Sequence, residues 1–172
     1  AEMGQAEDGK LRFGNSQAAL LDALLAAQDK VHVDKRFSDL RRQLQSFEGI
    51  KPSPKPDGFV GELRDYQCQG LGWLQFLQSF NLGGCLADDM GLGKTIQVLA
   101  LLQQRQIIGQ SQGPSMIVVP RTLVFNWLDE GARFAPKVKL RDYTGLKRIW
   151  QLDELESGDV LVTTYGTMRR DI

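Results

Sequence analysis

The chain has 172 residues, of which 42% are hydrophobic, so it can bury one sizeable core and carry a small extension. Its 21 basic residues balance its 21 acidic residues, which argues against a domain that holds nucleic acid through a bulk positive field. Because no apolar run approaches about 18 residues and no signal-peptide pattern is present, we expect a soluble, intracellular protein that does not associate with a membrane. We also expect it to be monomeric.

The N-terminal third predicts an extension rather than a catalytic domain. Residues 1–9 are small and acidic, which favours disorder. Apolar residues at helical spacing then predict a two-helix arm over 16–27 and 35–47. Three prolines and a glycine in 51–58 predict an extended linker. We therefore place a boundary there, with an extension over 1–56 and a second domain over 57–172.

A further helix is predicted over residues 61–80. Gly70 and Gly72 lie inside it, and each costs about 1 kcal/mol relative to alanine. These glycines indicate a neighbour pressed against the helix. The predicted apolar face is formed by Tyr66, Trp73, Leu74, Leu77 and Phe80.

The stretch 81–102 has the sequence form of a phosphate-binding loop: a short apolar strand, a glycine-bearing turn and a helix. Gly91 and Gly93 allow backbone N–H groups to approach phosphate oxygens, and the helix N-terminus adds unpaired donors. Lys94 would reach the β and γ phosphates, and the Thr95 hydroxyl would bind Mg²⁺. The stretch predicts a triphosphate site.

One position departs from the full pattern, because Asp88 stands where a glycine is usual. An ordinary surface turn between two core elements is the alternative interpretation of the same residues. Cys68, Cys85 and His32 form no cluster with metal-ligand spacing, so we expect no metal site made of protein side chains alone.

The remaining chain alternates strands and helices, which predicts an α/β fold with a parallel sheet. Ligands gather at the carboxyl ends of such strands, so we expect the phosphate loop, 120–122 and 164–165 along one edge. The predicted strands cover 115–119, 137–143 and 159–163, and the predicted helices start at Thr122, cover 147–155 and follow Thr164.

Several short motifs follow one another in this chain: Leu63-Arg-Asp-Tyr-Gln67, Gly70 with Trp73-Leu74, Asp88-Asp-Met-Gly-Leu-Gly-Lys-Thr95, Ile117-Val-Val-Pro120, Asn126-Trp127, Arg133-Phe-Ala-Pro136 and Leu161-Val-Thr-Thr-Tyr165. In this order they resemble the Swi/Snf family of helicase-like ATPases in helicase superfamily two, over about 61–172. The family commonly has Asp at the position of Asp88 and usually Glu where Asp89 stands. The helical arm before the proline-rich linker is more similar to prokaryotic members of the family than to eukaryotic remodellers.

The resemblance implies an incomplete RecA-like P-loop parallel sheet flanked by helices and preceded by a small helical arm. It implies that Gln67 reads adenine, with Arg64 and Tyr66 framing the base. It further implies that Lys94 and Thr95 are catalytic, with Thr95 on Mg²⁺. The implied ATP-binding loop is Asp88, Asp89, Met90, Gly91, Leu92, Gly93, Lys94 and Thr95, and the implied contacts to the DNA backbone are Arg121, Thr122, Thr164 and Tyr165.

The family hydrolyses ATP with an acidic D-E-x-H-type motif and with arginines from a second RecA-like domain. Neither is present in these residues, since Asp153-Glu154 lies in a predicted helix. We therefore expect the N-terminal part of a DNA-dependent ATPase that translocates on double-stranded DNA, with this part alone inactive and at most a weak ATP binder. The expected location is the nucleoid-containing cytoplasm of a prokaryote or a eukaryotic nucleus, and a DNA-bound protein complex is a possible partner. Another P-loop NTPase or kinase, or a DNA- or protein-interaction module, remains the alternative.

Overall fold

The computed structural model describes residues 5–7, 10–12, 35, 38, 42, 49–109, 113–145, 148 and 154–171. By their internal packing the residues divide into two units. One comprises Ala1–Lys51 and Trp73–Cys85, and the other comprises Pro52–Gly72 and Leu86–Ile172. The boundary that the sequence places at the proline-rich linker stays a prediction.

The first unit contains a short antiparallel pair of strands, β1 (Gln5–Glu7) and β2 (Lys10–Arg12), in which Gln5 lies opposite Arg12. The prediction of disorder over 1–9 was therefore wrong for these residues, because Lys10–Arg12 supplies the hydrogen-bonding partner that the composition of 1–9 did not reveal. The predicted arm helices lie outside the described residues, apart from helical positions at Lys35, Ser38 and Arg42.

Helix α1 (Asp65–Ser79) is shorter at its start than the predicted 61–80. Gly61 has a φ of +93°, which is outside helical geometry. The predicted apolar face was also incomplete. Leu71 is fully buried and Gln67 is nearly so, one turn apart on the same side. The sequence pattern missed this side because one of its members is polar, while Tyr66, Trp73, Leu74 and Leu77 are only half-buried.

Helix α2 (Lys94–Ile107) begins where the sequence predicted, after Gly93, and ends before Gly109, whose φ is +65°. The short strand predicted ahead of the phosphate loop is absent, since residues 82–89 have no regular secondary structure. A strand needs a hydrogen-bonded neighbour and side chains to bury. Gly83 and Gly84 have no side chains to bury, and Cys85 is exposed.

The sheet of the second unit has three parallel strands: β3 (Ser115–Val118), β4 (Leu140–Asp142) and β5 (Val160–Thr163). β5 is the central strand, and all four of its residues are buried. Val118 is in register with Thr163, and Leu140 with Val160. The parallel α/β sheet predicted from the sequence is confirmed.

Two helices follow strands of this sheet: α3 (Arg121–Phe134) after β3, and α4 (Tyr165–Asp171) after β5. Both agree with the predicted order. Most of the helix predicted over 147–155 lies outside the described residues, and Glu154 and Leu155 at its end are not helical.

Helix α2 supplies much of the core of the second unit. Its fully buried Leu99 and Ala100 pack in one cluster with Leu71 of α1 and Val160 of β5. Gly131 of α3 allows a close approach, because a Cβ there would lie 1.8 Å from Leu140 Cδ1 of β4. This packing brings the N-terminal parts of α1 and α2 together within the second unit, and the candidate site lies there.

Candidate nucleotide-binding site

The loop before α2 presents backbone donors without any side-chain cap. Gly91 and Gly93 have φ values of +86° and +75°, which only glycine adopts easily. Gly93 is the N-cap of α2 and, having no side chain, it caps none of the first helical N–H groups. Uncapped donors and the positive end of the helix dipole favour an anion at this point.

The side chain of Lys94 is hydrogen-bonded to the backbone of the loop that precedes it. Its ammonium nitrogen donates to the carbonyl oxygens of Asp88 at 2.6 Å and Asp89 at 2.9 Å. An ammonium group has three N–H donors, so one remains for another acceptor. Thr95 follows as the second residue of the helix and is half-buried. A cation and a hydroxyl therefore lie at the same helix terminus.

Asp88 has a partner of its own. Its Oδ2 accepts a hydrogen bond of 2.7 Å from Nε2 of Gln97, one turn into α2. By contrast Asp89 is exposed, and the side chain of Met90 is 97% exposed. The residue that replaces the usual glycine is thus attached to the helix that the loop precedes.

The start of α1 is tied to the same loop. Gln67 Oε1 accepts from the backbone N–H of Arg64 at 2.9 Å, which is the reach-back of a capping box from the third helical position. Gln67 Nε2 donates to the carbonyl of Leu92 at 3.1 Å, and the Tyr66 hydroxyl donates to the same carbonyl at 3.0 Å. The structure therefore brings together residues that lie 25 and 26 positions apart.

A cleft of about 190 Å³ opens beside these contacts. This is smaller than the roughly 300–1,000 Å³ that encloses a drug-sized ligand, so the cleft could hold one moiety of a nucleotide. Phe59 and Phe134 form an aromatic wall with ring centroids 6.5 Å apart and planes inclined by 21°. The polar and apolar residues that line the cleft include Phe59, Val60, Arg64, Tyr66, Gln67, Leu92, Gly93 and Phe134.

The four residues predicted to contact DNA follow adjacent strands. The N–H of Val119 donates to the carbonyl of Thr163 at 2.9 Å, so the carboxyl ends of β3 and β5 lie side by side. Arg121 and Thr122 follow β3 and are exposed. These two segments share one edge of the sheet, whereas the position of the phosphate loop along that edge stays a prediction.

Thr164 and Tyr165 differ in how they are held. Thr164 Oγ1 accepts from the N–H of Thr167 at 3.2 Å, so it caps the N-terminus of α4. Tyr165 is 67% exposed. Thr164 therefore has a structural role whatever else it contacts, and Tyr165 is open to solvent.

The far end of α4 is anchored by an ion pair. Arg148 holds Asp171 through two hydrogen bonds of 2.7 and 2.8 Å. The bonds from Arg148 hold the pKa of Asp171 below its ordinary value. Burial, and then the negative charge of Asp171, raise the pKa of Tyr143 above 10.0. This cluster connects the segment after β4 with the helix that carries Tyr165.

Sequence reasoning missed Gln97 and the aromatic wall of the cleft. Gln97 is fully buried although it is polar, and its sequence neighbours Ile96 and Val98 are apolar. Its position three residues after Lys94, together with the glycines in the preceding helix, was the available signal. The wall was harder to find, because Phe59 and Phe134 are distant in the chain.

Among the described residues, no cluster of three or more His, Cys, Asp or Glu side chains could hold a metal ion. None of the helices in that part of the chain combines the length and hydrophobicity needed to cross a bilayer.

Residues 66–172 match the SNF2-related domain family. YwqA of Bacillus subtilis, whose name describes an ATP-dependent helicase/translocase, is 34% identical over 99% of the chain, and Helicase SWR1 of Eremothecium gossypii is 41% identical over 69% of it. The SWI2/SNF2 ATPase core of Sulfolobus solfataricus, solved in complex with dsDNA, superimposes on 73% of the chain with a TM-score of 0.59 and 31% identity. The chain spans only 18%, 8% and 25% of these three proteins, respectively. On this family match and this shared RecA-like fold, the chain belongs to the SNF2-related domain family of helicase-like ATPases.

Proposed function

We propose that this chain supplies the ATP·Mg-binding half of the active site of a DNA-dependent ATPase that translocates on double-stranded DNA. The observation that carries the proposal is the loop before α2. It combines two glycines of positive φ, uncapped helical donors, and Lys94 with Thr95 at the first two helical positions.

The loop suits the phosphates of a nucleotide. Without a Cβ at Gly91 or Gly93, backbone N–H groups are accessible, and Lys94 retains one donor. Lys94 would hold the β and γ phosphates, and Thr95 would hold Mg²⁺. The metal ion, when bound, would neutralise charge on the phosphates.

The cleft suits a purine base. Gln67 has two donors and two acceptor lone pairs, and its two hydrogen bonds use one of each. One N–H and one lone pair remain, which is the complement of the N7 acceptor and N6 donor of adenine. Arg64 and Tyr66 lie at the same cleft and would frame the base.

The DNA role is assigned to Arg121, Thr122, Thr164 and Tyr165 at the strand ends. Backbone phosphates accept hydrogen bonds from Arg, Thr and Tyr side chains, and such contacts position a protein without reading sequence. The Sulfolobus solfataricus ATPase core was solved in complex with dsDNA, which supports a DNA-binding role for this fold. We accordingly place the protein where chromosomal DNA is, in a nucleoid or a nucleus, and a DNA-bound protein complex is its proposed substrate.

We further propose that these 172 residues alone hydrolyse little ATP. Phosphoryl transfer needs a placed metal ion, a positioned water and an arginine across the cleft. The sequence contains no D-E-x-H-type string to orient the metal and the water. Nucleotide binding without efficient hydrolysis is the expected behaviour.

A titration with a non-hydrolysable ATP analogue and Mg²⁺, followed by the NMR amide signals of the 172-residue chain, tests the binding claim. Signals of Gly91–Thr95 and of Gln67 should shift, while those of Arg148 and Asp171 should not. Unchanged loop signals at millimolar nucleotide would refute nucleotide binding by this chain.

A longer protein that contains this chain tests the motor claim. Its ATPase rate should rise on addition of duplex DNA. Nucleotide binding together with a DNA-independent ATPase or kinase activity would favour another class of P-loop enzyme over the translocase.

A further inference from the structure

We infer that Gln97 is a positioning residue for the phosphate loop, that it acts through the carboxylate of Asp88, and that Gly70 exists to make room for it. The inference rests on the proposed nucleotide-binding function of the loop and adds a residue of α2 to that site. No residue of the phosphate-loop pattern itself is involved except Asp88.

The amide of Gln97 lies in an unfavourable place for a side chain with only a packing role. Gln97 is 0% exposed, its Nε2 is bonded to Asp88 Oδ2 at 2.7 Å, and its Oε1 has no hydrogen-bond partner. A buried carbonyl oxygen without a donor lowers stability, so packing alone would favour leucine or methionine here. Among the described residues, the bond to Asp88 is the one polar contact of this amide, and it accounts for a glutamine at this position.

Gly70 of α1 shows how closely the amide is enclosed. A Cβ at Gly70 would lie 1.8 Å from Oε1 of Gln97 and 3.0 Å from its Cδ. Glycine is itself disfavoured within a helix. Two locally unfavourable residues on two helices thus meet at one point, and together they place an amide against Asp88.

The hydrogen bond from Gln97 to Asp88 fixes the start of the loop independently of Lys94. Lys94 holds the start of the loop through the carbonyls of Asp88 and Asp89. A phosphate group competes for that same ammonium. The Gln97 amide is buried away from that competition, so it keeps the first residue of the loop in place whichever partner Lys94 takes.

The test uses Gln97→Leu and a matched control, Gln103→Leu. Gln103 lies on the same helix, is also 0% exposed and also has an unpaired Oε1, but its Nε2 donates to the carbonyl of Asp57 instead of to the loop. We expect Gln97→Leu to weaken binding of an ATP analogue with Mg²⁺ about 10-fold, the effect of losing a hydrogen bond to a charged group. Gln103→Leu should change the affinity by less than about 2-fold.

Substitution of Asp88, the acceptor of this hydrogen bond, tests the same contact from the loop. Asp88→Ala should weaken nucleotide binding as much as Gln97→Leu does. The double variant should bind nucleotide no more weakly than either single variant, because each substitution removes the same hydrogen bond. Asp88→Asn should lose less, since its amide oxygen can still accept from Gln97. Gly70→Ala should reproduce the defect by displacing the amide.

A second readout needs no nucleotide. Amide hydrogen exchange at Gly91 and Gly93 should be faster in Gln97→Leu than in the unchanged chain, and not in Gln103→Leu. Equal effects of the two Gln variants on affinity and on exchange, or additive losses in the double variant, would overturn the inference. If the unchanged chain binds no nucleotide, the proposed function fails, while the exchange comparison still decides whether Gln97 holds the loop.

Discussion

The phosphate loop and the strand-end edge are two proposed binding regions built in opposite ways. At the loop, the polar side chains of Gln67, Lys94 and Gln97 all turn inward and bond to loop atoms. At the edge, Arg121 and Tyr165 are exposed. A site for one small ligand needs donors fixed in advance, because their ordering would otherwise reduce affinity. A contact to a repetitive phosphate backbone needs charge and reach, and it tolerates mobile side chains.

The largest effect should follow from removing the cation of the loop. In a longer protein that contains this chain, Lys94→Ala should lower kcat for DNA-stimulated ATP hydrolysis by about 100-fold or more, the range for loss of one fixed electrostatic donor. Circular dichroism should show an unchanged fold, because Lys94 is not in the core. A variant that retains most of its ATPase activity would remove Lys94 from the proposed site.

Next in size is a comparison of two loop glycines. Gly93→Ala should weaken binding of the ATP analogue more than Gly91→Ala does. Both positions have positive φ, which costs alanine about 1–2 kcal/mol, but a Cβ at Gly93 would also lie 2.6 Å from Gln67 Nε2, whereas Gly91 has open space. Isothermal titration of the two variants measures the difference. Equal losses would show that the contact between Gln67 and the loop is unimportant.

A smaller effect is expected at the exposed edge. In the longer protein, Arg121→Ala should weaken duplex DNA binding to a similar extent for all sequences, and it should reduce the slope of log K against log salt by about 1. Arg133→Ala is the matched control, since Arg133 is exposed at the other end of the same helix and lies over the Phe134 ring. If both variants give the same salt dependence, Arg121 is not a phosphate contact.

The smallest effect concerns the ion pair that anchors α4. Arg148 lowers the pKa of Asp171 in the folded chain below its ordinary value of 3.8. The ion pair therefore stabilises the fold fully at pH values above 3.8, and this stabilisation is lost as the pH falls through the lowered pKa of the folded state. Asp171→Asn should therefore unfold in less urea than the unchanged chain at pH 7, and the difference should vanish in strong acid.

The same variant has a spectroscopic signature. Burial still raises the pKa of Tyr143, but the contribution of the Asp171 charge is gone, so the pKa should move back toward 10.0. Titration of tyrosinate absorbance measures the shift. No change in either experiment would mean that the ion pair does not hold the segment after β4 to α4.

Much of the fold could be predicted because its signals are local. β3 and β5 are short runs of mainly apolar residues between turn residues, and α2 starts at a glycine-to-lysine transition that has few alternatives. The strand before the loop was predicted wrongly for the complementary reason. A short apolar run becomes a strand only if a neighbour pairs with it, and no local pattern shows the neighbour.

In the candidate site, too, the local features could be predicted from the sequence and the contacts between distant residues could not. The loop glycines, Lys94 and Thr95 form a contiguous string with one chemical purpose, so the sequence by itself determined the position of the proposed phosphate site. Only the tertiary structure decided that Gln67 caps its own helix while holding Leu92, that Gln97 holds Asp88, and that Gly70 leaves space for that amide. Gln67 joins α1 to the loop, and Gly70 places α1 against Gln97 of α2. A hydrogen bond between distant residues exists only when packing has brought them within about 3 Å.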